Sequence, residues 1–292
     1  MRVFVPGHSE PRPTSAAWVD ELAEDLVEDL DSLSSAPRKL RSAWKDATFN
    51  VNARFGVDPQ AAEPGSWEAV VTAAQLGSAL FRTAGMTEGT TEVRIHHAMR
   101  TLPAAGPSWD ANAEAWIEGF WYAVITRDQP KMTELCELPL DVLRASGADH
   151  DDYLYHWVAA LQAYWLKRPE LVPELTLAFQ RSHPDVAVIA GRDYIQQVAY
   201  PPINLFYKFL QKDEEGFHAA LVEALELHKR YWTATPERAD DIDGLVPIGV
   251  LAVACLAYDG GVPVEVESPY LPEHLLKRSG RSGSENGGRS GG

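Results

Sequence analysis

Cysteine is scarce in this sequence, which contains only Cys136 and Cys255 among 292 residues. Two distant cysteines cannot build the network of cross-links that stabilises small secreted domains, so we expect a reducing compartment. Neither thiol has a basic neighbour close in sequence that would stabilise a thiolate. We therefore predict two buried structural cysteines rather than catalytic nucleophiles.

Signals for export or membrane insertion are also missing. The first residues, MRVFVPGHSEPRP, lack the apolar core of a signal peptide. The longest mostly apolar run, Leu245 to Tyr258, has 14 residues that include a proline and a glycine, which is too short for a membrane-spanning helix. We expect this run to be a buried helix and the protein to be cytoplasmic.

The common motifs of enzyme chemistry are absent. The sequence has no glycine-rich phosphate-binding loop, no HExxH zinc motif and no GxSxG nucleophile elbow. We predict a protein that is not an enzyme, with no catalytic, cofactor-binding or metal-binding residues and no cofactor.

Basic residues are few relative to acidic ones. The 42 acidic and 26 basic side chains give a net charge of −16, and residues 1–276 alone carry −19. Such a surface repels nucleic acid and anionic lipid, so we expect neither as a partner. It attracts a cationic partner, although an acidic surface also serves simply to keep a protein soluble.

Helical periodicity is what the sequence has in abundance. One apolar stripe, capped by Thr14 or Ser15, repeats every three or four residues from Val19 to Leu33. Similar patterns predict helices at about 37–55, 66–84, 111–127, 130–145, 151–167, 170–181, 185–198, 202–212, 214–232 and 240–258. The fold class is therefore predicted to be all-α.

The predicted helix ends recur at similar distances. Polar or glycine-containing turns follow at 127–128, 167–168, 211–212 and 258–259, which lie 40, 44 and 47 residues apart. This spacing is typical of stacked helical hairpins, and an irregular helical bundle is the alternative. Alternation at 90–99 and at 262–266 predicts at most two short β-strands, which we expect to pair with each other.

Two histidine-containing segments raise the question of a metal site. His150, Asp151 and Asp152 are consecutive, and His96 and His97 are adjacent in the predicted strand at 90–99. Together they would suit zinc, manganese or iron, but neighbours on a strand point to opposite faces. We interpret the acidic residues at 149–152 instead as capping groups, placed after a helix that ends at a left-handed Gly147.

Clusters of exposed acids are the candidate partner-binding residues. Each cluster alone is typical of a solvated surface, so we expect their joint field to attract a basic partner. The candidates are Glu21, Glu24, Asp25, Glu28, Asp149, Asp151, Asp152, Asp240, Asp241 and Asp243.

Six collinear segments carry a resemblance to a known family. They are VTAAQLGSALF (71–81), EVRIHHAMRTLPAAGP (92–107), LCELPLDVLRASGA (135–148), YLYHWVAALQAYWLKRP (153–169), YPPINLFYKFLQKDEEGF (200–217) and CLAYDGGVPVEVESPYLPEHLL (255–276). They resemble the immunity protein 49 family of bacterial polymorphic toxin systems, found notably in actinomycetes.

The resemblance implies a mainly helical cytoplasmic protein that binds a cognate toxin domain and neutralises it by blocking its active surface. It is strongest over 67–276, within a single predicted domain at 1–276. The Gly/Ser-rich segment 277–292 cannot bury enough apolar surface to fold, so we predict a disordered tail. The alternatives are a metal-dependent enzyme that uses the His/Asp cluster and a general helical-repeat scaffold.

Overall fold

Helices make up most of the structure, a computed structural model that describes residues 3–8 and 16–279. The α-helices are α1 (Ala16–Ser32), α2 (Leu40–Val57), α3 (Pro64–Ala84), α4 (Ala113–Thr126), α5 (Gln129–Glu137), α6 (Leu140–Arg144), α7 (Tyr153–Trp165), α8 (Leu171–Arg181), α9 (Arg192–Tyr194), α10 (Tyr200–Gln211), α11 (Glu214–Trp232), α12 (Pro236–Ala239), α13 (Ile248–Asp259) and α14 (Glu273–Lys277). The predicted all-α class is confirmed. The predicted cap at Thr14 or Ser15 and most of the predicted tail lie outside the described residues, while Lys277 ends α14.

Four short strands form two small sheets, so the described residues contain more strands than the two expected. β2 (Thr90–Ile95) and β3 (Ala98–Pro103) form an antiparallel hairpin, and β1 (Val3–Phe4) pairs in parallel with β4 (Val266–Glu267). The prediction that the segments at 90–99 and 262–266 pair with each other is wrong. The two-residue turn at 96–97 lets the chain fold back locally instead.

Two helical hairpins are joined in the same way. A basic residue in the left-handed conformation ends the first helix, Arg127 at φ 55° after α4 and Lys212 at φ 57° after α10. The next residue, Asp128 or Asp213, caps the following helix by accepting a backbone N–H bond three residues on. These joins lie where the sequence predicted helix ends.

The segment from α9 to α10 departs from the predicted layout. We predicted helices at 185–198 and 202–212, but α9 continues into α10 through a π-helical turn, Ile195–Ala199. Pro201 and Pro202 lie one residue beyond this turn and cannot donate N–H bonds to it. The wider turn relieves the clash that a proline ring causes in an α-helix, so the prolines do not end the helix.

The loop 182–191, of which 185–191 was predicted to be helical, is held by one carboxylate. The side chain of Asp151 is 6% exposed and accepts backbone N–H bonds from Val188, Ile189 and Ala190 at 2.7–3.2 Å. These N–H groups are not available to a helix. The capping prediction is wrong as well, because Asp152 occupies the N-cap position of α7 without a side-chain cap bond. Gly147 has the predicted positive φ.

The apolar run near the C-terminus forms a core helix. Residues 242–259 have a mean hydropathy of 1.7 and are long and apolar enough to cross a membrane. However, 56% of them are buried inside the protein, as in the core helix of a folded domain. The single helix predicted at 240–258 is divided into a 3₁₀ turn, Ile242–Gly244, and α13. Pro247 and Gly249 account for this break.

Aromatic side chains from α4, α7 and α10 form the centre of the core. The rings of Trp116 and Phe120 are stacked at 5.1 Å, and Trp157 contacts both Trp121 and Phe206 at 6.0 and 5.3 Å between ring centroids. Full burial of each large side chain contributes roughly 1.5–3 kcal/mol. The packing fixes α4 and α7 against each other, which positions the site described next.

Candidate functional site

An acidic cavity opens beside this aromatic core. It has a volume of about 490 Å³ and lies between α4, α7, α11 and the 3₁₀ turn at 242–244. Three carboxylates line it, from Glu114, Glu118 and Asp243, and none of the described residues in its wall is a lysine or arginine. We call this site the acidic cavity.

Two of the carboxylates come from the start of α4. Asn112 caps this helix by accepting the N–H of Ala115 at 3.0 Å, and the capped end sets the first turn at the edge of the cavity. Glu114 and Glu118 are four residues apart, so they project from the same face of the helix. Glu114 is exposed and Glu118 is partly buried, which places Glu118 deeper.

Glu118 is unusual electrostatically. Burial, together with the nearby charges of Asp243 and Glu114, raises its pKa from 4.5 to about 7. A carboxyl group with such a pKa is held where its charge is poorly compensated. A cation placed in the cavity would lower the free-energy cost of ionising Glu118.

The third carboxylate is fixed by its own turn. Asp241 accepts the N–H of Asp243 at 3.0 Å, and Asp243 accepts a hydrogen bond from the amide of Asn52 at 2.9 Å. Burial raises the pKa of Asp243. Its carboxylate is therefore oriented before any ligand arrives.

The walls of the cavity are rich in aromatic rings with polar edges. The hydroxyl of Tyr194 donates to Glu114 at 3.2 Å, and burial raises the pKa values of Tyr153 and Tyr194. The buried indole N–H of Trp232 and Oδ1 of Asn52 have no hydrogen-bond partner among the residues that the structure describes. Buried polar atoms without partners are costly, so a ligand that donates a hydrogen bond to Oδ1 of Asn52 is favoured, while the Trp232 N–H requires an acceptor.

Nearby histidine adds no positive charge. His228 lies in the cavity wall, and its Nε2 is 2.8 Å from the carbonyl oxygen of Gly244. Burial lowers its pKa from 6.5 to about 3, so the ring is neutral at physiological pH. The cavity thus combines three carboxylates, aromatic faces and no compensating cation, which suits the side chain of a lysine or arginine.

The acidic face of α1 lies at another part of the surface. Asp20, Asp29 and Asp31 form ion pairs with Arg54, Lys39 and Arg100. The four candidate residues on this helix are all exposed and have no basic partner within the described ranges 3–8 and 16–279: Glu21, Glu24, Asp25 and Glu28.

The other two predicted acidic clusters have different environments. Asp149 is exposed, and Asp152 lies 3.3 Å from His156 and 3.8 Å from Arg144. The carboxylate of Asp151 is buried and accepts hydrogen bonds from the loop 182–191, so it is not part of the surface. In the third cluster Asp240, Asp241 and Asp243 are all exposed, and Asp243 also lines the acidic cavity.

The predicted histidines do not form one cluster. Of the residues that the structure describes, the only group suited to metal is His96, His97 and Glu68, whose donor atoms lie within 4.8 Å of one another. His96 and His97 occupy the turn between β2 and β3 rather than a strand, so their side chains are not forced to opposite faces. His150, Asp151 and Asp152 take no part in this group.

Both cysteines are buried and protonated at neutral pH. Burial raises the pKa of Cys136 well above its ordinary value and that of Cys255 to about 12. A thiol in this state is a poor nucleophile, and neither residue lines the acidic cavity.

Sequence reasoning missed Glu114, Glu118 and Glu68. A signal for the first two was present, because Glu118 is a lone interior acid in the apolar helix AEAWIEGFWYAVIT, with Glu114 one turn earlier on the same face. No comparable signal in the sequence pointed to Glu68, because its position beside the two histidines depends on how the β2–β3 hairpin packs against α3.

Comparison with known proteins gives one result. Residues 58–275, about three quarters of the chain, match the family model described as Immunity protein 49. No match was found among the curated proteins or among the solved structures. Glu68, Glu114, Glu118 and Asp243 lie inside the matched range, whereas α1 lies outside it.

Proposed function

We propose that this chain, which belongs to the immunity protein 49 family, binds a cognate toxin domain in the cytoplasm and neutralises it by covering its active surface. The partner is a protein with a basic surface, not a nucleic acid or a membrane, because the net charge of −16 repels phosphates. The fold itself supports the binding role, since a rigid helical scaffold can present a preformed surface at low entropic cost.

The observation that carries the proposal is the acidic cavity with three carboxylates and no lysine or arginine in its described wall. A basic side chain of the toxin fits this chemistry: its charge pairs with Glu114, Glu118 and Asp243, while its stem or planar head lies against the aromatic faces. Arginine fits better than lysine, because its guanidinium donates several hydrogen bonds in one plane and stacks on rings.

The two acidic regions have separate roles in this account. The acids of α1 at Glu21, Glu24, Asp25 and Glu28 are exposed and act at a distance, so they raise the rate of encounter with a basic toxin. The acidic cavity acts after contact, when a toxin side chain covers its carboxylates and excludes water from them, so it sets how slowly the complex dissociates.

Co-expression tests the function directly. The toxin to test is a C-terminal domain from a large secreted protein encoded beside this protein, produced in a bacterial host with or without the wild-type chain. We expect growth to be restored by the wild-type chain and the two proteins to co-purify. Glu226→Gln, an exposed change on α11, should protect equally well.

Two results would contradict the proposal. Failure of the purified wild-type chain to bind that toxin domain would leave a general helical scaffold as the better account. Protection without binding, through destruction of a toxin product, would instead indicate an enzyme.

A further inference from the structure

We propose that Glu68, His96 and His97 form a binding site for a divalent transition-metal ion, with Zn²⁺ as the expected occupant. This inference is independent of toxin binding and concerns a different part of the molecule from the acidic cavity.

The donor atoms lie close enough together to bind one ion, and the hydrogen-bonded pair Glu68–His97 would separate by about 0.7 Å to do so. Oε1 of Glu68 lies 2.7 Å from Nε2 of His97 and 3.5 Å from Nδ1 of His96. Zinc with bonds of about 2.0–2.1 Å in a tetrahedral arrangement places its donors about 3.4 Å apart. Two imidazoles and one carboxylate are a ligand set typical of zinc sites with three protein ligands, which leave a fourth position open.

The backbone brings the two imidazoles together. His96 has φ 56°, the left-handed conformation, and its N–H donates to Oε1 of Gln75 on α3 at 2.6 Å. This bond ties the hairpin turn to the helix that also carries Glu68. As a result the two rings lie side by side, with centroids 4.1 Å apart, above that helix.

The surroundings favour a cation with access to solvent. The three ligands border a cavity of about 630 Å³ between α1, α2, α3 and the hairpin turn, and Glu24 and Glu28 of α1 line the same cavity. The only lysine or arginine in its described wall is Arg54, which is paired with Asp20 at 2.9 Å. The ion would therefore enter a negatively charged, open site.

The test is zinc binding by the full chain, purified without a histidine tag and stripped with chelator. We expect isothermal titration to show one equivalent of Zn²⁺ and the thermal midpoint to rise with zinc, since binding to the native state stabilises it. His97→Ala and Glu68→Gln should each weaken binding at least tenfold and abolish the rise in midpoint, without changing the midpoint of the zinc-free protein by more than a few degrees.

The matched control is His183→Ala, which removes another exposed histidine that lies beside a carboxylate, that of Asp185. It should retain wild-type zinc binding. Wild-type protein that binds no zinc, or zinc binding that survives both His97→Ala and Glu68→Gln, would show that the three side chains form only a hydrogen-bonded surface cluster.

Discussion

Oδ1 of Asp151 lies 2.7 Å from the backbone nitrogen of Val188, although 37 residues separate them in sequence. Asp151→Ala removes the acceptor for three N–H groups and should lower the free energy of unfolding by roughly 3 kcal/mol. Urea unfolding measures this change. The exposed neighbour Asp149 is the control, and Asp149→Ala should stay within about 0.5 kcal/mol of wild type.

The same contact has a local consequence. Val188 is 82% exposed and Ile189 is 57% exposed, so the loop 182–191 has little apolar packing of its own to hold it. Limited proteolysis of Asp151→Ala should cleave within this loop faster than in wild type. Equal cleavage rates would show that other contacts fix the loop.

Glu118→Gln should stabilise the protein at pH 8. The pKa of Glu118 is about 7 in the folded protein and 4.5 when unfolded, so wild-type stability falls as pH rises from 4.5 to 7. Removing the ionisable group should raise the free energy of unfolding by roughly 3 kcal/mol at pH 8 and by almost nothing at pH 4.5. Denaturant unfolding of both proteins at the two pH values measures the difference, and Glu226→Gln should show no such pH dependence.

His228 makes the opposite contribution. Its folded pKa of about 3 lies below the unfolded value of 6.5, so the unfolded state gains a proton first as pH falls. This stabilisation is complete above pH 6.5 and should decline by roughly 2 kcal/mol at pH 5. His228→Gln keeps a donor for Gly244 and should flatten the stability profile between pH 5 and 7, whereas His183→Gln at an exposed position should leave the profile unchanged.

The four exposed acids of α1 should control the rate of toxin association. Reversal of Glu21, Glu24, Asp25 and Glu28 to Lys should slow association roughly tenfold at 50 mM salt, and the corresponding Gln variant should lie between it and wild type. Raising salt to about 500 mM should remove most of the difference. Stopped-flow binding measures these rates. A rate unaffected by salt and by both variants would mean that encounter does not depend on this face.

Local patterns in the sequence predicted the helices well, because apolar stripes and turn residues act over short distances. The helix at 214–232 was predicted with the bounds that the structure shows. Separate helices were predicted at 185–198 and 202–212, whereas α9 continues into α10 through a π-turn that depends on the surrounding packing. The loop anchored by Asp151 depends on a contact across 37 residues, which no local pattern reveals.

The candidate site was predicted only in part. Counting charges predicted acidic surfaces, and Asp243 was among the candidates. Its neighbouring carboxylates in the acidic cavity come from α4. The polar atoms that lack a hydrogen-bond partner among the described residues come from α2 and α11. The histidine pair was noticed, yet its usefulness as a ligand pair depended on a hairpin turn where a strand was expected. Long-range packing determined both outcomes.

The dissociation rate of the toxin complex tests the acidic cavity most directly. Surface plasmon resonance compares wild type, Glu118→Gln and Glu118→Gln combined with Asp243→Asn, with Glu226→Gln as control. If a basic toxin side chain occupies the cavity, Glu118→Gln should speed dissociation at least tenfold and the double variant further, with little change in association and no loss of stability. Wild-type dissociation rates in both variants would contradict the account and place the toxin elsewhere on the surface.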